Sequence, residues 1–246
     1  MPFYNKLEAS LISIAKEVGV PKAILIISGH WEEANYSLMS NSFPSMLYDY
    51  GGFPEHTYHI KYPAPGDLKL VSRAKVLIEH AGFPVALDYS RGFDHGTFTP
   101  LFVMYPNANV PVVQLSIKND YDPESHYQLG KALAPLREEG ILIIGSGLSY
   151  HNLRDFGRSQ SSQLASCEFD HWMRRTLLEL PSKERHQKLL EWTKAPFARA
   201  AHPQEDHLIP LHVAVGAAED EKGVLVYHED TFFGGISVSS FRFGKV

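Results

Sequence analysis

Three histidines stand in contexts suited to chemistry: Ser28-Gly29-His30-Trp31, Ser149-Tyr150-His151-Asn152 and Asp206-His207-Leu208; a fourth, His95, sits in the loop segment Gly92-Phe93-Asp94-His95-Gly96. Imidazole is the commonest metal ligand among side chains, and its proton moves near neutral pH. His30 and His151 each follow a short apolar run, Ala23–Ile27 and Ile141–Ile144. Such runs, bounded by turns, read as buried strands of a mostly parallel sheet. Both histidines are then expected at the carboxyl ends of core strands, where open α/β sheets bind ligands. Histidines drawn from distant points to one sheet edge predict a metal site or an acid–base site.

Each of these residues also has a plain structural reading. His30 suits a cap or a satisfied core histidine, and His151-Asn152 suits a polar turn closing a strand. His207 lies in Pro203-Gln204-Glu205-Asp206-His207, which resembles an ordinary acidic first helical turn, with His202 competing for its role. His95, between Asp94 and Gly96, suits a tight turn as well as a ring held in place. His80, His126, His171 and His186 fall on expected helices among charges and read as solvated. His56 and His59 lie in a long loop, where a surface position is favoured over lining a pocket.

The elements that must position these side chains alternate along the chain. An amphipathic helix over 5–18 leads to a strand at 23–28 and a second at Tyr36–Ser40. A Pro/Gly/Tyr-rich loop runs from Phe43 to Gly66. Asp67 reads as an N-cap, Leu70, Val71, Ala74, Leu77, Ile78 and Ala81 as a helix stripe, and Gly82 as a stop. Pro84–Tyr89 reads as a strand, followed by a short helix opened by the His95 loop and ending near Tyr105-Pro106. A strand at Val110–Ile117, a helix at Pro123–Glu139 and the strand at Ile141–Gly145 come next. Helices are expected at 161–180, 183–193 and 203–218, and strands near 223–228 and 236–243. This order predicts one three-layer α/β/α domain over residues 1–246. Its central sheet should be mixed but mostly parallel, because the last two strands read as a hairpin.

Composition narrows the class. The chain has 246 residues, a formal net charge of -5 and one cysteine. No linker, charge block or repeat divides it. The acidic balance argues against a nucleic-acid surface or an anionic membrane, and no apolar run approaches the roughly 18 residues of a membrane span. A lone Cys167 fits a reducing, cytoplasmic setting. The first helix carries Glu8, Lys16 and Glu17 and does not read as a signal peptide. There is no His-Glu-x-x-His helix, Gly-x-Ser-x-Gly elbow or phosphate loop. Gly145-Ser146-Gly147 lacks dinucleotide spacing, and Cys167 has no basic neighbour to activate it.

Six ordered segments carry a resemblance. They are Ser28-Gly29-His30-Trp31-Glu32, Tyr48-Asp49-Tyr50-Gly51-Gly52-Phe53-Pro54, Lys61-Tyr62-Pro63-Ala64-Pro65-Gly66, Gly92-Phe93-Asp94-His95-Gly96, His151-Asn152-Leu153-Arg154 and Glu205-Asp206-His207-Leu208-Ile209-Pro210-Leu211. From about residue 2 to the C-terminus the chain resembles the 4,5-DOPA extradiol dioxygenase family, part of the class III extradiol ring-cleavage dioxygenases. The resemblance implies a non-haem Fe(II) enzyme, sometimes found with zinc, that opens a small catechol beside its hydroxyls with O2. It implies His30 and His207 as metal ligands. His151 becomes an extra ligand or an acid–base group, and His95 the group that takes a catechol proton or steadies oxygen. Iron must keep positions open for catecholate and O2, and a nearby imidazole must accept and return a proton. The resemblance leaves Glu205 and Asp206 as supporting or capping groups. The loop from Tyr48 to Gly66, rich in Tyr, Phe and Pro, is expected to form one wall over the histidines, with His95 facing them from another side.

Members of that family carry an earlier strand and a His-Gly-rich segment that supplies a metal ligand. Here the chain starts at Met1-Pro2-Phe3-Tyr4, about where the family's first helix begins. The expectation is therefore one missing ligand, weakened metal binding, and unpaired backbone groups or an apolar groove beside Ala23–Ile27. An impaired family member is the runner-up reading. A zinc hydrolase is a third, disfavoured for want of a carboxylate placed as a general base.

Overall fold

The computed structural model describes residues 4–156 and 159–244. Helix α1 (Asn5–Val18) leads into β1 (Ala23–Glu33) and β2 (Tyr36–Met39); α2 (Leu68–His80), β3 (Val85–Asp88), α3 (His95–Met104) and β4 (Val112–Lys118) follow. Next come α4 (Pro123–Leu133), the single turn α5 (Pro135–Glu138) and β5 (Ile141–Ser146). Helices α6 (Gln160–Leu178), α7 (Ser182–Leu190), α8 (Ala198–Ala201) and α9 (Ile209–Ala218) precede strands β6 (Val224–Phe232) and β7 (Ile236–Arg242).

Five strands form a sheet of order β3-β2-β4-β1-β5. The pairs β1–β4, β1–β5 and β2–β3 are parallel, and β2–β4 is antiparallel. The sheet is mixed, as expected, but not for the expected reason. The last two strands do pair as an antiparallel hairpin, yet they form a separate sheet. The antiparallel contact in the main sheet is made by β2, which returns through the short turn after β1.

The unbroken apolar run of β1 leaves no face for water, so both faces are covered. Ala23, Leu25 and Ile27 pack with α2, α4 and α9, while Ile24 and Ile26 face α3 and the apolar side of α1. Burying each large aliphatic side chain contributes about 1.5–3 kcal/mol, enough for this strand to anchor three layers. A further core joins α6, α7 and α8 to the β6–β7 hairpin through Phe169, Met173, Leu177, Leu189, Ala198 and Val238.

Four expectations need correction. First, β1 has partners on both sides, so no backbone beside Ala23–Ile27 is left open; among the described residues the edge strands of this sheet are β3 and β5. Second, the helix expected over 123–139 breaks before Pro135, whose ring lacks an N–H and clashes with the preceding turn. Third, the helix expected over 203–218 begins only at Ile209. Pro210 is tolerated in a first turn and hardly anywhere else, so His207 lies in a turn ahead of the helix. Fourth, His126 is fully buried rather than solvated.

The buried His126 ring bridges two backbone groups. Its Nδ1–H donates to the Asp122 carbonyl at 2.7 Å, and its Nε2 accepts the Lys118 N–H at 3.0 Å. Burial lowers its pKa to about 4. In the unfolded chain the ring titrates near 6.5, so between those values the unfolded state binds the extra proton. His126 thus makes the fold lose stability as pH falls through that window, by up to about 1.4 kcal/mol per pH unit. Replacing it by Gln, which retains an acceptor, should flatten the dependence of denaturant midpoint on pH between 6.5 and 4 by about one proton. An unchanged slope would place the proton uptake elsewhere.

Candidate metal centre and active site

His30 owes its position to a bulge. Between Ile27 and Glu32, β1 advances five residues while β4 advances two, from Leu115 to Ile117. The stretch from Ser28 to Trp31 has no registered partner on β4, although Ser28 still pairs with Ser146 of β5, and such a bulge re-aims side chains. His30 therefore lies inside the assigned strand, not beyond its end.

His95 is the first residue of α3. Asp94 caps that helix by accepting the Thr97 N–H, and its carboxylate also accepts from Ser28, Arg91 and Gln114. His151 follows β5 by five residues and is held by its backbone N–H on Ala201 O and by Asn152 on Ala200 O.

These segments bring four imidazoles together. Ring centroids are 4.0 Å apart for His30 and His95, 4.7 Å for His30 and His207, and 3.4 Å for His207 and His151. The last pair is stacked, with 14° between planes. Ring lone pairs lie in the ring plane, so stacked rings do not point at one ion. His151 would have to turn before sharing an ion with His207.

The candidate ligand atoms accordingly fall into two triads, His30–Asp49–His95 and His151–Asp206–His207, each within 4.8 Å. His202, the competitor considered for His207, is fully buried and has Nε2 on the Ser149 carbonyl at 3.0 Å. Its contacts are Phe169 and Trp192, so its visible work is to hold the 149–151 segment. His56 and His59 are exposed.

Asp49 has no role assigned from sequence, its signal being its place in the Tyr48–Pro54 segment that carries part of the resemblance. One oxygen accepts both the backbone N–H of His95, at 3.0 Å, and its ring Nδ1–H, at 2.8 Å; the other lies 3.6 Å from His30 Nδ1. The same loop supplies aromatic neighbours: Tyr50 meets His95 edge-on at 5.4 Å, and Phe53 meets Tyr50 at 5.4 Å.

Electrostatics favours neutral rings. Burial lowers the pKa of His30, with His95 adding to the effect and Asp49 opposing it. Burial also lowers that of His151 against the pull of Asp206, and drives that of His207 far below its ordinary value. Burial pushes Asp49 up, but hydrogen bonds and charge from His95 outweigh it and keep the carboxyl ionised. Neutral imidazoles with neighbouring carboxylates suit a divalent first-row metal. His207 Nε2 is buried with no hydrogen-bond partner, an atom such an ion would satisfy. His207 Nδ1 accepts the Leu148 N–H at 3.1 Å. Ligation through Nε2 therefore requires the other tautomer, with loss of that bond.

Close backbone approach is essential to this gathering. A Cβ on Gly29 would sit 2.7 Å from Asp206 O, one on Gly147 2.2 Å from His207 O, and one on Gly96 2.5 Å from Ser28 Oγ.

A family model described as the catalytic LigB subunit of aromatic ring-opening dioxygenase matches residues 5–244. This chain belongs to the LigB family. It is a ring-cleavage dioxygenase of the extradiol type. A 4,5-DOPA dioxygenase extradiol from Beta vulgaris is 41% identical over 225 residues, 91% of this chain and 83% of that protein. Its namesake from Escherichia coli K12 is 33% identical over 227 residues, 91% and 83% of the two chains. A crystal structure of an uncharacterized Escherichia coli K12 protein superposes with a TM-score of 0.80 at 29% identity, covering 96% of this chain and 92% of that one. Among the described residues, no helix of this LigB-family chain is long and apolar enough to cross a membrane.

Gly29→Ala tests the packing. The opposing atom is backbone and cannot swing aside, so the variant should lose about 1–3 kcal/mol of stability, as overpacking does, and should separate His30 from His207. Thermal melts and Zn(II) titration should both fall; wild-type values in both would show that the approach is not needed.

Proposed function

We propose that this LigB-family enzyme opens the ring of a small, DOPA-like catechol beside its hydroxyls, using O2 and a divalent ion held by His30 and His207, with His151 joining on rotation. The whole described chain acts as one catalytic domain in this reading. Fe(II) is the ion proposed for activity, and Zn(II) can occupy the isolated protein. The observation that carries the reading is the convergence of four imidazoles from four separate segments, with successive ring centroids 4.0, 4.7 and 3.4 Å apart. Bound Fe(II) supplies the electron exchange that lets a catechol and O2 react.

The protein's own groups do the rest. The Asp49 carboxylate holds the Nδ1–H of His95, which leaves Nε2 as the ring's acceptor. His95 is thereby set to take a catechol hydroxyl proton and return it later. Tyr50 and Phe53 provide flat apolar surface beside it, suited to an aromatic ring with few polar atoms. His30, His151 and His207 are kept neutral by burial, as ligation requires.

The test is anaerobic loading with Fe(II), followed by air and L-DOPA, reading O2 uptake against catechol loss. One O2 per catechol is expected, with none consumed by metal-free protein. In His95→Ala, metal content should stay at the wild-type level while turnover falls about 10²–10⁴-fold, the usual contribution of a proton-transfer group. Unchanged turnover would remove His95 from the mechanism.

A further inference from the structure

Tyr121 holds a backbone conformation that aromatic residues rarely adopt. It lies between β4 and α4 with φ at 50°, in the left-handed region that favours glycine. Strain of this kind persists only where the surroundings hold it in place. The Tyr121 N–H closes a turn on the Lys118 carbonyl at 3.1 Å, and the ring packs against the core shared by β1, β4 and α9. Its hydroxyl meets two exposed side chains from other segments. It donates to Glu32 Oε2 and accepts from Gln204 Nε2 at 2.6 Å. Gln204 Nε2 also lies 3.5 Å from Glu32 Oε1.

Glu32 follows His30 closely in β1, and Gln204 precedes His207 in the turn before α9. The sheet already fixes one side of this clasp. Glu32 pairs with Ile117 of β4, and the Asn119 N–H bonds the Glu33 carbonyl at 2.9 Å. Gln204 comes from outside the sheet, and its neighbour Glu205 spends its side chain on Arg199 in the same stretch of chain. Among the described residues, no other hydrogen bond joins residues 203–208 to β1 or to the β4–α4 loop.

We propose that Tyr121 is a positioning residue: clasped between Glu32 and Gln204, it sets how far the turn carrying His207 stands from the strand carrying His30. The inference rests on the reading of those two histidines given above and adds no ligand to it. Their ring centroids are 4.7 Å apart, and a misplacement of about 1 Å in such a site can cost about 10²-fold in rate. Gly29 lets the two backbones approach, with a Cβ there coming 2.7 Å from Asp206 O. A glycine makes no side-chain bond, so it cannot stop them from separating. The clasp supplies restraint in that direction. Glycine at position 121 would relax the turn, but it would leave Gln204 with only the longer contact to Glu32.

Tyr121→Phe keeps the ring and removes the hydroxyl, and Gln204→Ala removes the group that reaches it. Both variants and their double are compared with wild type as full chains. In metal-free protein, hydrogen exchange over residues 203–209 should quicken by about 5-fold or more, the effect of losing one hydrogen bond. Exchange over 29–34, held by the sheet, should not change. Zn(II) affinity of chelator-stripped protein should fall by roughly 10-fold, the scale of a lost outer support. At saturating Fe(II), kcat with L-DOPA should fall roughly 10- to 100-fold, with a smaller change in KM, the split expected of a group that acts through others. Both single changes break the same bond, so the double variant should lose no more than the larger single loss. Melting temperatures should stay near wild type, because the bonded groups Glu32 and Gln204 are exposed. A lowered melting temperature with wild-type affinity and kcat would leave Tyr121 a structural role only and overturn the proposal. So would unchanged exchange over 203–209, or losses that add in the double variant. If wild type and Tyr121→Phe bind Zn(II) equally well, the clasp fails and the metal reading stands. If wild type takes up no Zn(II), both fall.

Discussion

The Asp94 carboxylate is fully buried, and a buried charge is tolerated only when paired and hydrogen-bonded. Its partners therefore cannot drift apart. Ser28 reaches it from the β1 bulge, Gln114 from β4, Arg91 from the preceding loop and the Thr97 N–H from the first turn of α3. Arg91 extends the tie to the His30 carbonyl, at 3.3 Å, and lies over the Trp31 ring. One carboxylate thus joins the strand that carries His30 to the helix that presents His95. Their rings stand 4.0 Å apart because of it.

Crowding of this kind is stable only if the rings are uncharged. Two imidazolium ions at such a separation would repel, and burial removes the water that could screen them. Lowered pKa values at His30, His151 and His207 are the thermodynamic form of the same fact. The neutral state that relieves repulsion also bares the lone pairs that a metal or a substrate proton requires. Structure and chemistry therefore ask for the same protonation state here. Asp49 adds a negative charge beside His95, and it arrives from a loop rather than from a core element. Binding and catalytic groups often sit on loops that a rigid sheet supports.

Local order along the chain determined a good deal of this protein. The apolar runs at Ala23–Ile27 and Ile141–Ile144 are β1 and β5, the Asp67 cap opens α2, and the final hairpin pairs as its alternation requires. His30, His95, His151 and His207 are legible as a set because each sits in a turn-like motif beside a strong element, and the structure gathers all four. Such features depend on neighbouring residues, whose periodicity and capping chemistry are written next to one another. Tertiary structure decided the rest. The bulge that aims His30 exists because β1 and β4 must stay in register on either side of it. The pairing of Asp49 with His95, the stacking of His151 on His207 and the bond from Gln204 to Tyr121 arise between segments remote in sequence. His126 is the same lesson in the core: charged neighbours suggest water, but its ring closes a gap between α4 and β4. No local pattern encodes which segments will meet, since that is settled by the burial of whole faces and by the few glycines that let backbones approach.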